Sequence, residues 1–319
     1  MKAGEPELAA LSRYRDIIDD WDSFVAHATS PVPYCFWVNT LKISEEALLA
    51  RFRADGIEST PLPWLPGAHR LDSKIALGKR FEHLTGLIYI QEEVSMVPVA
   101  IMNPQPGERV LDMCAAPGSK TSQIGVRMQN RGSIIANDSS FGRLRAFRRN
   151  QERLGIINLT LTNRNGFDLP LAWGPFDKVL ADVPCSCEGN SRKSLAALTR
   201  KEEGFHEKLV VTQTRILRRA LRLTRPGGVV LYSTCTYAPE ENEGVLDTII
   251  REFEGSVEIV PLHGEKSDPE IVLPALKTSP GLSNWAGQEF HPAVSGAVRF
   301  YPHHNDTGGF FVAALRRVE

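Results

Sequence analysis

The 319-residue sequence is poor in several things, and each shortage removes a class of protein. No apolar run approaches the ~18 residues a membrane-spanning helix needs, and the opening Met1-Lys2-Ala3-Gly4-Glu5 has no signal-peptide core. Five cysteines, an odd number in a chain of this size, do not make a disulfide framework. A reducing, cytoplasmic setting with no membrane partner is the expectation. Charge of one sign is also missing: 37 basic residues face 38 acidic ones, for a net charge of −1. That balance neither requires nor excludes nucleic acid, because phosphate contacts depend on local charge. Internal repeats and low-complexity stretches are absent. The dinucleotide pattern Gly-x-Gly-x-x-Gly does not occur, and Gly118-Ser119-Lys120-Thr121 lacks the upstream glycine of a phosphate loop.

What remains is an ordinary globular composition, 42% hydrophobic and 24% charged, long enough for one large core and a smaller companion. Residues 1–103 read as a small N-terminal α/β domain suited to binding RNA. The spacing predicts a helix over Leu11–His27, a strand over Phe36–Leu41, a helix opened by Ser44 and stopped near Gly56, and further helix over Leu84–Met102. Pro104-Gln105-Pro106-Gly107 marks a turn. From there to 319, short apolar runs alternate with helical patterns, which predicts a parallel sheet with crossover helices. The strands are expected at Val110–Met113, Ile134–Asn137, Leu159–Thr162, Lys178–Ala181 and Val229–Ser233. Helices are expected at Ser119–Met128, Phe141–Leu154 and Val210–Leu223. Val298–Tyr301 and Phe310–Leu315 read as an antiparallel hairpin.

In an open α/β sheet, ligands bind beyond the carboxyl ends of the strands. The loop Asp112-Met113-Cys114-Ala115-Ala116-Pro117-Gly118-Ser119-Lys120-Thr121 follows the first strand. Its small residues allow close approach, and a helix start favours a carboxylate. Asp138 ends the second strand, where it would either bind ribose hydroxyls or cap the next helix. Two further strand ends carry Asp182-Val183-Pro184-Cys185-Ser186-Cys187 and Tyr232-Ser233-Thr234-Cys235-Thr236. Topology brings both to the same edge, so two thiols and a carboxylate would face one cleft. Carbon 5 of cytosine is too weak a nucleophile for direct methylation. A thiolate adding at carbon 6 activates it, after which a base must remove the carbon-5 proton. Such a thiol needs an electropositive or hydrogen-bonding neighbourhood, and Lys120 is one candidate for supplying it. The bland alternative is that these cysteines are small buried hydrophobes, which suits Cys114 and Cys187. No Cys or His pair at zinc spacing completes a metal site, and His303-His304 reads as a surface pair, so no metal is expected.

These segments resemble the RNA 5-methylcytosine methyltransferases of the NOL1/NOP2/Sun (RsmB/NOP) type, including the bacterial 16S rRNA enzymes. The likeness is carried by Val38-Asn39-Thr40-Leu41-Lys42, Gln91-Glu92 with Ser95-Met96, Val110 to Thr121 and Asp182 to Ser186. Pro226-Gly227-Gly228, Tyr232 to Thr236 with Glu240-Glu241-Asn242-Glu243, and Gly309 to Ala313 complete it. The resemblance implies a Rossmann-like, class I S-adenosylmethionine-dependent catalytic domain over 104–319. Cys235 would be the nucleophile, Cys185 the thiol that resolves the adduct, and Asp182 the carboxylate holding cytosine near the cofactor. Cys114 to Lys120, Asp138, Arg143 and Asn165 would form the cofactor site. Asn165, Val183, Cys187 and Trp37 depart from the family's usual aspartate, alanine, glycine and arginine. The expected partner is RNA, rRNA ahead of tRNA, bound by a monomer through residues 1–103 and the catalytic surface.

Two arginine clusters are candidates for tracking phosphates: Arg215, Arg218, Arg219 and Arg222 on one helix, and Arg143, Arg145, Arg148, Arg149 and Arg153 on another. Either is equally readable as a solvated helix face. Pro184-Cys185-Ser186 is not the Pro-Cys-Gln of DNA cytosine methyltransferases. Asp182-Val183-Pro184-Cys185 lacks the Pro-Pro-aromatic run of adenine methyltransferases. A non-catalytic RNA-binding ribosome-assembly factor is the rival of a different class.

Overall fold

The computed structural model describes residues 9–72, 75–199, 204–263 and 276–319. An antiparallel four-stranded sheet forms first, from β1 (Cys35–Val38), β2 (Ser59–Pro61), β3 (Ala68–Leu71) and β4 (Ile88–Ile90), in the order β2-β3-β1-β4. Helix α1 (Trp21–Ala28) precedes it and α2 (Glu45–Ala54) lies between β1 and β2. Ser44 caps α2 by accepting from the Ala47 amide. The helix expected over 11–27 is broken into a 3-10 segment, Ser12–Ile17, and α1. The break comes where Asp20 turns outward to accept from the Ser23 amide and start a new helix.

The long helix expected over 84–102 is corrected more sharply. Gly86, at φ +73°, passes so close to the Arg153 carbonyl that a Cβ would lie 2.1 Å from its oxygen. β4 follows and pairs with β1 through Phe36 and Ile90. Glu92 then caps a 3-10 turn, and helix resumes only in α3 (Val97–Met102). Asn39 ends β1 early because its side chain is claimed elsewhere. Its amide donates to the Gly86 and Leu154 carbonyls, each at 2.8 Å, which ties this unit to the one that follows.

The second sheet has nine strands. Its parallel part comprises β5 (Arg109–Asp112), β6 (Ser133–Asn137), β7 (Leu159–Thr162), β8 (Phe176–Asp182) and β9 (Thr224–Thr234). The crossovers include α4 (Ser119–Arg127), α5 (Phe141–Leu154) and α6 (Phe205–Leu223). All five strands fall where the apolar runs put them. After α7 (Glu243–Glu252) come β10 (Val257–Val260), β11 (Ser279–Pro280), β12 (Val298–Phe300) and β13 (Phe310–Arg317). The order is β11-β12-β13-β9-β8-β5-β6-β7, with β10 added to β13. β12 and β13 pair antiparallel as expected, although a helical turn, Pro302–Asn305, joins them. The chain runs outward from β5 to β7, then returns to β8. That reversal opens a crevice between the carboxyl ends of β5 and β8. Buried Leu111, Val179, Leu180, Val230 and Leu231 make the floor beneath it rigid.

Candidate active site

A cleft of about 500 Å³ occupies that crevice. Its walls include Asp112, Cys114 to Pro117, Ser119, Lys120, Asp138, Arg143, Asn165, Asp182, Cys185 and Cys235. The exception among the sequence candidates is Gly118. Its φ of +100° and the Phe147 ring, 2.1 Å from where a Cβ would sit, show that its smallness serves the packing of α5. Its amide donates to the Ala115 carbonyl at 2.7 Å, closing the turn that aims α4 at the cleft. The Ser119, Lys120 and Thr121 amides that follow lie in the first turn of α4, where N–H groups have no carbonyl partner within the helix.

Asp138 does not cap α5, whose N-cap is Ser140, but braces the turns on either side of it. One oxygen accepts from the Ser140 amide at 2.8 Å and the other from the Ala116 amide at 3.1 Å. Asp138 lines the cleft, and its Oδ1 has acceptor capacity beyond the Ser140 bond. Arg143 leans over this turn, bonded to the Ala116 carbonyl and 3.4 Å from Asp138. Asp112, fully buried at the tip of β5, accepts the Thr121 hydroxyl at 2.6 Å. Burial raises its carboxyl to about 7, against the pull of Thr121 and with help from Asp182. The folded chain therefore binds a proton there that the unfolded chain releases near pH 4. Stability is expected to fall as pH rises from about 4 to about 7, with the cost fully present above that. In Asp112→Asn this component should vanish. The stability of the variant relative to the parent, followed by urea unfolding across that range, should grow by roughly 2–4 kcal/mol.

On the other wall, Lys120 Nζ donates to Asp182 at 2.7 Å and to Ser95 Oγ at 3.3 Å, and lies 5.3 Å from the centre of the Phe310 ring. Burial alone would lower the Lys120 ammonium, but Asp182 outweighs it and holds the group charged. The second oxygen of Asp182 accepts the Ser233 hydroxyl at 2.7 Å. Register explains this convergence, since Asp182 and Ser233 are partners across β8 and β9.

The two sequence-distant thiols meet. Cys185 Sγ lies 3.2 Å from Cys235 Sγ, and the Cys235 amide points at Cys185 Sγ at 3.3 Å. Three backbone passes lock them. Gly189 donates to the Cys235 carbonyl at 2.9 Å, and Gly309 donates to the Gly189 carbonyl at 2.9 Å. A side chain on Gly189 would strike Gly309, and one on Gly309 would strike the Tyr237 ring. Beneath them, fully buried Glu241 accepts from the Ser186 amide at 3.0 Å and from Gln213 at 2.8 Å. Asn242 bonds Thr234 and the Thr236 carbonyl on either side of Cys235. The acidic motif 240–243 is thus the scaffold of the cysteine loop.

Two features lay beyond sequence reasoning. Asn190 donates to Cys235 Sγ at 3.0 Å from 45 positions away, with no linear signal to mark it. The Cys185 thiol is held up by contact with Cys187 and Cys235 and by burial. For Cys235, contact with Cys185 pulls down, but Cys187, burial and nearby Asp182 push up, and the balance is upward. Lys120, a candidate for activating Cys235, bonds Asp182 and still interacts electrostatically with the Cys235 thiol. His303 and His304 are not a surface pair: both imidazoles are buried and meet Asp19 at 2.8 and 2.9 Å. No helix among the described residues is long and apolar enough to cross a membrane.

The arginine helices also differ from their sequence reading. On α6, Arg218 makes a bidentate pair with Glu252, Arg219 bonds the Phe167 carbonyl, and Arg215 stacks on Phe167 at 3.6 Å. On α5, Arg153 reaches the His83 and Ile88 carbonyls. Arg145 and Arg149 are exposed and have no ion pair among the described residues.

Comparison with known proteins agrees with this architecture. The model of the 16S rRNA methyltransferase RsmB/F family matches residues 99–316, and that of the N-terminal domain of 16S rRNA methyltransferase RsmF matches 10–93. The chain is 38% identical over 308 residues to ribosomal RNA small subunit methyltransferase F of Klebsiella pneumoniae, covering 93% of this chain and 60% of that protein. It is 34% identical over 312 residues to tRNA (cytosine(49)-C(5))-methyltransferase of Pyrococcus abyssi, covering 96% and 95%. A solved methyltransferase homologue from Pyrococcus horikoshii superposes with a TM-score of 0.82 at 34% identity, covering 99% of this chain and 100% of that one. The chain therefore spans about 60% of the length of the first F-type relatives, and it belongs to the 16S rRNA methyltransferase RsmB/F family.

Proposed function

We propose that the chain is an S-adenosylmethionine-dependent RNA (cytosine-5)-methyltransferase working through a covalent Cys235–cytosine adduct. The single observation that carries this reading is the 3.2 Å separation of Cys185 and Cys235 in the cleft that also holds the Lys120–Asp182 pair. The donor set fits the cofactor. Asp138 retains acceptor capacity for a diol, the 114–119 turn offers small residues and helix-start amides, and Asn165 stands where the adenine end would lie. S-adenosylmethionine supplies an electrophilic methyl group when bound.

The chain's own part is the handling of cytosine. Cys235 Sγ, freed of its proton, forms a bond to carbon 6, and the electron pair shifts toward carbon 5 and the ring nitrogen. Asp182, held by Lys120 and Ser233, would accept from the cytosine amino group and orient the base, while Lys120 supplies the positive charge beside the electron-rich ring. After carbon 5 has been methylated, a base takes its proton. The electrons of that C–H bond re-form the ring double bond and expel Cys235 Sγ, and Cys185, as its thiolate, is placed to be that base. The Cys235 thiol is shifted upward by its surroundings, and the positive charge of a bound sulfonium would favour its thiolate. Asn190, donating to Cys235 Sγ, would stabilise the thiolate. Cytosine reaches this depth only when unstacked from its strand. The exposed Arg145 and Arg149 on α5 suit the adjoining phosphates better than α6, whose arginines are mostly spent on structure.

Ribosomal RNA, in the cytoplasm, is the substrate favoured by the F-type relatives and by both family models. A tRNA substrate is the second reading, because the archaeal tRNA relative matches this chain along nearly all of both lengths. Bisulfite sequencing of rRNA and tRNA from a deletion strain tests both at once. One or more cytosines should lose protection in rRNA under the first reading and in tRNA under the second. Unchanged protection in every RNA contradicts the activity itself.

A further inference from the structure

Beside the two thiols assigned to methyl transfer lies another, Cys187, to which that chemistry gives no task. Cys187 Sγ lies 3.9 Å from Cys185 Sγ, and the ligand atoms of Cys185, Cys187 and Cys235 all fall within 4.8 Å of one another. Linear spacing hides this cluster because its third member comes from the end of β9. Cys187 also sits at φ +65°, a left-handed conformation that suits glycine and burdens a side chain. The chain thus holds a thiol where its backbone would be easier without one, and the position gained is beside two other thiols.

We infer that Cys185, Cys187 and Cys235 form a binding site for a zinc-class divalent cation, and that the bound ion reversibly shuts the cleft. Zinc–sulfur bonds of about 2.3 Å in tetrahedral array place sulfurs about 3.8 Å apart, close to the 185–187 separation. The 185–235 pair would open from 3.2 Å, and the 187–235 pair, already within 4.8 Å, would settle to the same spacing. Three thiols become thiolates on binding, each giving its proton to solvent, and water takes the fourth position. No oxidation state changes. Asn190 Nδ2, 3.0 Å from Cys235 Sγ, supplies the outer hydrogen bond that orients a ligating sulfur. The other candidate, Asp19 with His303 and His304, is poorer. Lys277 Nζ lies 3.1 Å from its carboxylate, and both imidazole Nδ1 atoms are buried without the partner a ligating histidine uses. Inhibition rests on the proposed role of Cys235, whereas binding of the ion does not.

The full reduced chain, titrated anaerobically with Co²⁺ and then displaced by Zn²⁺, tests the site. One equivalent should give thiolate-to-cobalt charge-transfer absorbance in the near ultraviolet. Cys187→Gly suits the backbone, so it folds, and Cys187 has no part in the proposed methyl transfer. Its affinity for Co²⁺ should fall at least about 100-fold, since loss of an outer-shell partner alone costs ~10–100-fold. Zinc should suppress methylation by the parent, restored by chelator, and spare C187G at the same free concentration. Absence of thiolate absorbance, or equal affinity in C187G, overturns the site. Undiminished methylation by the zinc-saturated parent overturns the inhibition. A chain that binds cobalt as expected but methylates no RNA without metal keeps the site and loses the enzymatic reading.

Discussion

Cys185→Ala should accumulate a protein–RNA complex that survives denaturing electrophoresis, whereas Cys235→Ala should form none. Both should lose turnover, Cys235→Ala by on the order of 10⁴-fold or more, the scale seen when a covalent nucleophile is removed. The asymmetry follows from chemistry: one sulfur makes the bond to carbon 6, and the other acts after the methyl group has moved. The 3.2 Å contact makes the pair look interchangeable, but their settings differ. Cys235 receives the Asn190 amide and follows Ser233 and Thr234 at the end of β9, while Cys185 follows Asp182 and Pro184 in the loop beyond β8. Equal inactivity of both variants with no trapped complex in either would remove the basis for two roles. A double variant should trap nothing, because resolution has no meaning without an adduct.

The second large effect concerns stability. Arg299, 2% exposed, donates from Nε to Glu243 at 2.7 Å and from Nη1 to the Tyr237 carbonyl at 3.0 Å. Glu243 is itself fully buried. Burial alone would lower the Arg299 guanidinium, but Glu243 outweighs it and the group is held well above its ordinary range. Arg299→Met leaves the Glu243 carboxylate buried without its cation, which costs about 3–5 kcal/mol. Urea unfolding should show that loss, and adding Glu243→Leu should recover part of it, since apolar replacement of a whole buried pair is tolerated. A loss under about 1 kcal/mol would mean that the pair does not hold the segment after Cys235 in place. Turnover should fall along with stability, because Tyr237 lies two residues past Cys235 and its ring packs on Gly309.

The parallel part of the large sheet was readable in advance for a physical reason. Strands covered on both faces are short continuous apolar runs, such as Val110-Leu111 and Val229-Val230-Leu231, and the helices between them carry polar faces. The antiparallel elements were harder. β4 has three residues, and Leu87, Ile90, Val94 and Val97 mimic helical spacing, so only its pairing with β1 distinguishes it. β2 and β3 contain Ser59, Thr60, Pro61, His69 and Arg70, too polar to announce a strand. Helix α7 was obscured by the acidic run that begins it.

The site divides in the same way. Residues at strand ends, Asp112, Asp138, Asp182 and Cys235, could be placed at one edge by topology alone. Contacts made by loops could not. The hydrogen bond of Asn190 to Cys235 and the approach of Cys187 depend on how 185–190 folds back, and that path is set by Gly189 against Gly309 and by buried Glu241. Charge was the least legible property. Arginines at helical spacing on α6 look like an RNA face until Glu252 and Phe167, on other elements, are seen to occupy them.

Everything proposed for this cleft turns on which sulfur touches the base. Proteolysis and mass spectrometry of the complex trapped with Cys185→Ala would locate the nucleotide. The account predicts a cytidine-containing adduct on the peptide bearing Cys235, one methyl group heavier than the unmodified nucleotide. A nucleotide attached at Cys187 or Cys114, or no covalent adduct in the presence of a methylated RNA product, would contradict it.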